Sequence, residues 1–444
     1  MKDVQNNIKT LTALAEQILL EAKKQGADAC EVGAGLHQGF TVTARRGEVE
    51  TVEHNRDKSI DITVYFDNHL GGASLTDFAP LAIQAAVKAA SDIARFTDQD
   101  PCAGLVSPDE LASGWEDPLL YHPWKLSVNQ AIELGITCEK IAFAKDRRID
   151  NSEGTTVSTS NTWQVYGNSH GFIGAYPASR HEIGCLLIAK DGDEMQRGHS
   201  YTVAADPEKL VPVERIACDA VERTVSRLGP RKIATGKMPV IFLAEEARSL
   251  LGHFVSAISG GNLYRKSSFL QDCLSQKIFP EHIRMDERPH LKGYLGSAPF
   301  DSDGVATRPN VFVENGVLQS YVLGVYSARR LKMKTTANGG GVHNLFISTG
   351  ERDLAGLIKQ MGKGFLVTEL MGQGVNIVTG DYSRGACGFW VENGEIQYPV
   401  EEATIAGNLR DIYARVAEVG NDVDMRGNIK TGSILIEEMT VAGE

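Results

Sequence analysis

The sequence predicts an α+β chain in two lobes, with helix-covered mixed or antiparallel sheets in the N-terminal half and a β-rich C-terminal lobe. Two observations carry this. Up to about residue 228, stripes with helical spacing alternate with period-two strands, the pattern of sheets covered by helices on one face. Beyond it the chain is glycine-rich and built of short strand-like runs, two of which close on the same Asn-Gly pair. At 444 residues the chain exceeds what one core organises. Loop-rich gaps divide it into three blocks, 1–105, 118–232 and 237–444.

Ile8, Leu11, Leu14, Ala15, Ile18 and Leu19 recur at helical spacing, so Met1 to Lys24 reads as an amphipathic helix ending near Gly26. Short strands are expected at Cys30–Gly33, Phe40–Ala44 and Glu48–His54. Ile60, Ile62, Val64 and Phe66 then alternate with Asp61, Thr63 and Tyr65, a half-buried strand, and Asp67-Asn68 turns the chain. Leu81, Ala82, Ala85, Ala86, Ala89 and Ile93 stripe a second helix. Pro101, Pro108, Pro118 and Pro123 mark the first boundary.

Ser127–Lys145 reads as a helix capped by Ser127, and a β-rich stretch follows from Ile149 to about Ala204. Asp206-Pro207 places a cap and a first-turn proline at the start of a helix that reaches Leu228. Gly229-Pro230 and Gly236 form the second boundary. In the last block, Val313-Glu314-Asn315-Gly316-Val317 and Val391-Glu392-Asn393-Gly394-Glu395 each predict a two-residue hairpin, because both turn positions need positive φ. No longer internal repeat is visible.

The net charge of −12 argues against a broad nucleic-acid footprint, which needs clustered Lys and Arg. No apolar run reaches the roughly 18 residues of a membrane span. The polar first helix has no signal-peptide core, so a cytoplasmic location is expected. Seven cysteines, odd in number and without a C-x-x-C pair, read as buried reduced thiols.

The candidate chemistry is sparse. His253 stands on a helix defined by Leu250, Leu251, Phe254, Val255 and Ile258. With Gly252 before it and Ala257 after it, an ordinary hydrogen-bonded histidine is expected there. The other histidines are scattered and form no H-x-x-H, H-x-x-x-H or H-E-x-x-H. Asp301 and Asp303 before Gly304 open like a calcium loop, but the remaining ligand positions are missing, so a polar turn is expected. Cys387 reads as a small residue in a tight strand. Gly339-Gly340-Gly341 lacks the Gly-Lys-Ser/Thr ending of a phosphate loop and reads as a surface linker, with a loop at a cleft edge as the functional alternative.

Residues 250–268, from Leu250 through Gly261, Arg265 and Lys266, resemble the zinc helix of the TldD branch of the TldD/PmbA (TldE) protease family. That branch carries Leu-Leu-His-Glu-x-x-x-His and then Gly-Asp-x-x-Arg-Lys. Here the first ligand position is Gly252, the catalytic glutamate position is His253 and the second ligand position is Ala257. Glycine and alanine have no donor atom for zinc. Two histidines five residues apart lie roughly 140° apart on a regular helix, so the ancestral motif needs a kink or bulge that Gly252 and Ser256-Ala257 can retain.

Further blocks agree in order: Asp301–Gly304, Glu314-Asn315-Gly316, Tyr326–Arg329, Asn376–Tyr382, Gly388-Phe389-Trp390 and Gly407-Asn408. Gly420-Asn421-Asp422 resembles the segment before the TldD branch's cysteine ligand, yet no cysteine follows Cys387. The chain is thus similar to the PmbA (TldE) branch, also labelled a modulator of DNA gyrase. The resemblance implies a subunit of a zinc metallopeptidase complex that acts on peptides and unfolded proteins. It implies no catalytic residue, metal or cofactor in this chain, and zinc in a TldD-type partner subunit. Gly339, Gly340, Gly341, Asn376, Thr379 and Asp381 are expected along the substrate channel. A homodimer when alone, an independent hydrolase with a non-standard site, and a non-enzymatic scaffold stay open.

Overall fold

The computed structural model describes residues 2–443. Met1 and Glu444, the outermost positions of the first and third expected blocks, lie outside the described residues. The first helix, α1, spans Lys2–Lys24. The short strands expected up to residue 54 belong to two long ones, β1 (Ala29–Arg45) and β2 (Glu48–Phe66). β1 runs unbroken through Gly33, Gly35 and Gly39 because both its edges are paired, with β2 on one side and β4 (Ile149–Asn168) on the other. A ladder on each side supplies the order that glycine's own preference does not.

After β3 (His69–Leu75) comes α2 (Pro80–Phe96). Its buried face is Ile83, Val87, Ala90, Ser91 and Ala94, so the expected stripe is rotated: Leu81 and Ile93 are exposed. Alanines occur on every side of this helix, and counting them did not locate the packed face. Gly71 does: a Cβ there would stand 2.0 Å from the Ala90 carbonyl, so helix and strand meet at bare backbone.

The next helix, α3 (Val128–Lys145), starts on a capping box between Ser127 and Gln130. β4 is followed by β5 (Ile173–Asp191) and β6 (Glu194–Ala204). The single helix expected from residue 207 is a short turn, Pro207–Lys209, followed by α4 (Val213–Val225). Pro212 cannot donate the backbone bond that would join them.

These strands form one antiparallel sheet, β3-β2-β1-β4-β5-β6. Its topology is a repeat that the residues do not display: α1-β1-β2-β3-α2, then α3-β4-β5-β6-α4, meeting at the β1–β4 seam. The four helices cover one face in two apolar clusters, one per unit. The other face is polar. One cross-strand row on it reads Asp61, Gly33, Tyr166, and the next Ser59, Gly35, Gln164, Tyr176.

The C-terminal block begins with β7 (Gly236–Phe242), α5 (Ala244–Ala257) and α6 (Gly260–Tyr264). Then come β8 (Met285–Glu287), β9 (Asn310–Glu314), β10 (Val317–Leu318), α7 (Val325–Arg330) and β11 (Leu345–Ile347). The chain continues with α8 (Leu354–Met361), β12 (Gly364–Met371), β13 (Asp381–Glu392), β14 (Glu395–Asn408) and α9 (Leu409–Ala414). It ends with β15 (Val416–Val419), β16 (Ile429–Lys430) and β17 (Ile434–Ala442).

β14, β13, β12, β7 and β17 pair in that order, and β14 also pairs with β17, so these five strands close into a barrel. A barrel has no edge to guard. A separate five-stranded sheet, β10-β9-β8-β11-β16, packs beside it. Both Asn-Gly pairs are hairpin turns with positive φ, Asn315 and Gly316 in the small sheet and Asn393 and Gly394 in the barrel. Among the described residues no helix is long and apolar enough to cross a membrane.

Candidate functional site

α5 carries the residues of the zinc-helix frame. Glu245 and Glu246 in its first turn suit the positive end of the helix dipole, and Ser433 Oγ accepts the Ala244 N–H at 3.0 Å. Leu250, Leu251, Phe254 and Ala257 are buried. The helix runs as unbroken α-helix to Ala257, where it ends, and no π turn interrupts it at Gly252 or Ser256-Ala257.

The three motif positions differ sharply in surroundings. Gly252 faces open space, with nothing within 4 Å of an added Cβ. Ala257 is fully buried in the main core. His253 lies between these extremes. Its Nε2 is buried without a hydrogen-bond partner, and its ring meets Tyr382 edge-on at 6.1 Å. Burial and the nearby Arg384 guanidinium hold its pKa below the usual histidine value.

A polar group surrounds His253. Tyr382 OH is likewise buried, with the Arg384 guanidinium beside it. Arg384 donates to Ser249 Oγ at 2.9 Å and to the Gly372 carbonyl at 3.1 Å. Glu246 is pushed up to about 7, first by burial and then by Glu245. Burial also opposes the charge on Glu245, but His199, Arg426 and Arg223 outweigh it and hold that carboxyl well below its usual range. The Glu245 pairs with Arg223 and Arg426 tie α5 to α4 and to the segment before β16. That segment is the one expected from the sequence to hold the third ligand position. There Asp422 accepts Ser433 N and Oγ, and Asn421 Nδ2 donates to the Glu351 carbonyl.

A second feature is a cleft of about 440 Å³ between the polar face of the first sheet and the C-terminal block. Gly339 and Gly340 line it, whereas Gly341 follows them outside the lining with φ 117°. This loop is anchored, not a free surface linker. Asp301 Oδ2 accepts the Gly339 N–H, and buried Glu287 accepts Asn338 Nδ2 and the His343 N–H. A Cβ on Gly339 would sit 2.8 Å from Asp303 Oδ2 and 3.0 Å from Asp301 Oδ2. Asp301 and Asp303 form the expected polar turn, with Asp301 Oδ1 accepting the N–H groups of Asp303 and Val305. Burial, reinforced by Asp303, raises Asp301 to about 7.

Asn376 and Thr379 stand elsewhere, on the exposed turn before β13, and Asp381 opens β13; Thr379 Oγ1 donates to Asp381 and Asn408 Nδ2 donates to the Thr379 carbonyl. None of the three lines the cleft. Sequence reasoning missed Glu246, Tyr382 and Arg384, which come together only across the α5–β13 packing. It also missed Gly33 and Gly35, whose alternation on a strand was the one readable signal of an open floor.

Three domains of one family match nearly the whole chain. They are PmbA/TldA metallopeptidase domain 1 at residues 30–94, the central domain at 121–228 and the C-terminal domain at 235–443. The metalloprotease PmbA of Escherichia coli O157:H7 is 46% identical over 425 residues, covering 96% of this chain and 94% of that protein. A proposed modulator of DNA gyrase from Bacteroides thetaiotaomicron has the same fold, with a TM-score of 0.92, 26% identity, and coverage of 98% of this chain and 99% of that one. TldE from Thermococcus kodakarensis superposes with a TM-score of 0.83 at 22% identity, over 97% of this chain and 100% of that one. The chain belongs to the PmbA/TldD metallopeptidase family.

The family name implies a metal, and the residues of α5 do not fit one. Gly252 and Ala257 offer no donor, and among the described residues no three His, Cys, Asp or Glu side chains are grouped to hold an ion.

Proposed function

From membership of this family, we propose that the chain is the PmbA/TldE-type subunit of a two-subunit zinc peptidase acting on peptides and unfolded proteins. A TldD-type partner holds the zinc, and this chain shapes part of the substrate chamber in the cytoplasm. One observation carries the reading. The helix that bears the frame of a zinc motif has glycine facing open space at one ligand position and alanine sealed in the core at the other. The acidic chain, at −12, does not favour DNA as a direct ligand.

The test is elemental analysis of the purified chain with peptide cleavage measured alone and with a TldD-type subunit. The expected result is no stoichiometric metal, no cleavage alone, and chelator-sensitive cleavage by the pair. About one tightly held metal per chain, with cleavage by the chain alone, would sink the proposal.

A second reading, an independent hydrolase without that metal, draws on Glu246, His253, Tyr382 and Arg384 meeting beside α5. His253→Ala separates the two. It leaves cleavage by the pair within a few-fold on the first reading, and on the second it removes about 10²-fold of the chain's own activity.

A further inference from the structure

β2 has an open edge. Its outer side pairs with β3 only from Ile60 to Phe66, so among the described residues no strand pairs with that side over 48–59. All twelve of these residues are exposed. A stretch of that length runs about 40 Å, and alternate residues along it turn free N–H and C=O groups to solvent. The second unit of the repeat shows what closing such an edge takes. The matching stretch of β5, 173–180, also lies outside its pairing with β6. There Pro177 removes a donor, and the Ser179 N–H donates to the Leu120 carbonyl at 2.8 Å. The 48–59 stretch contains no proline and is left uncovered.

The charges along this edge are ordered. Glu48, Glu50 and Glu53 stand in its first half, and His54, Arg56 and Lys58 in its second, where Asp57 is the one acidic residue. Val52, near the middle, is 40% exposed. A strand that is acidic at its start and basic at its end complements itself when a copy runs antiparallel to it, and repels itself when the copy runs parallel.

We propose that the 48–59 edge pairs antiparallel with the same edge of a second copy of this chain, centred near Val52, and so joins two six-stranded sheets into one. Val52 then faces its own counterpart, Glu50 faces His54, and Arg56 reaches Glu50 from the diagonal position. The register shift between Val49 and Thr51 ends the regular ladder on the acidic side. The contact is isologous, so every favourable pair occurs twice. Backbone hydrogen bonds supply affinity, as in other strand additions, and the charge order fixes direction. The proposal concerns this chain alone and does not rest on its pairing with a zinc-bearing subunit, so the two fail independently.

Sedimentation equilibrium on the full chain tests it, with two double variants. Glu48→Lys with Glu50→Lys makes both halves of the edge basic, and Arg56→Glu with Lys58→Glu makes both acidic. The wild type is expected to dimerise with a Kd of about 1–10 μM. Each variant alone should associate about 100-fold more weakly, and an equimolar mixture of the two should recover the dimer, because a basic edge then meets an acidic one. The altered contacts, Glu50 with Arg45 and Lys58 over the Phe78 ring, are exposed, so both variants should melt within about 2 °C of wild type. Amide exchange should show protection over 48–59 that rises with protein concentration. The proposal is overturned if the wild type stays monomeric at about 100 μM, if either variant alone dimerises like the wild type, or if the mixture does not associate. Protection of this edge only on addition of a TldD-type subunit overturns it too, and assigns the edge to that partner.

Discussion

Rebuilding the missing metal positions one at a time separates the two environments on α5. Ala257→His places an imidazole where the native methyl is fully buried in the main core. Overpacking such a site costs about 1–3 kcal/mol, and a buried imidazole left without partners costs about 1–3 kcal/mol more. The variant should therefore lose about 2–6 kcal/mol. At Gly252 an added Cβ meets nothing within 4 Å, and Gly252→His exchanges a poor helix former for a better one. It should be neutral, or stabilising by about 0.3 kcal/mol. For a domain of this size 1 kcal/mol moves the melting temperature by about 2–4 °C. Calorimetry should then show a fall of roughly 5–20 °C for Ala257→His and a change of about 1 °C for Gly252→His. Added zinc should not restore Ala257→His, because a catalytic site takes three protein ligands. A melting temperature for Ala257→His within about 2 °C of wild type would refute the reasoning, since the core would then have room to spare.

Two further outcomes follow from the geometry. Burial raises Glu246 to about 7, so the folded state holds its proton more tightly than the unfolded chain. Its contribution is present at acid pH and lost as pH rises from about 4.5 through 7, so Glu246→Gln should be more stable than wild type by about 1–3 kcal/mol at pH 8 and indistinguishable at pH 4.5; urea titrations at both values check this. Gly339→Ala pushes a methyl against two carboxylates held by backbone N–H groups, and chemical denaturation should show a loss of about 1–3 kcal/mol.

Much of the fold was legible because local rules and tertiary structure agree. The Ser127 cap, the Asp67-Asn68 turn and both Asn-Gly hairpins depend on residues within a few positions of one another, and each forms as expected. Where long-range pairing decides, local reading fell short. β1 runs through glycines that propensity would break, and α2 buries the face that Gly71 admits and not the stripe with the larger alanine count. The candidate site divides the same way. That Gly252 and Ala257 cannot hold zinc is a matter of side-chain chemistry and needs no coordinates.

The sequence by itself determined the family, the α+β class, the hairpins and the lack of a donor atom at Gly252 and Ala257, because these depend on residue identity and short-range geometry. Tertiary structure alone decided the duplicated αβββα topology, the closed barrel, and the meeting of α5 with Tyr382 and Arg384. It also decided that Asp61 and Asp301, 240 residues apart in the chain, line one cleft. These features are contacts between distant segments. They are set by which strands pair and which faces pack, and residues that meet this way need share no local pattern for a reader of the chain to find.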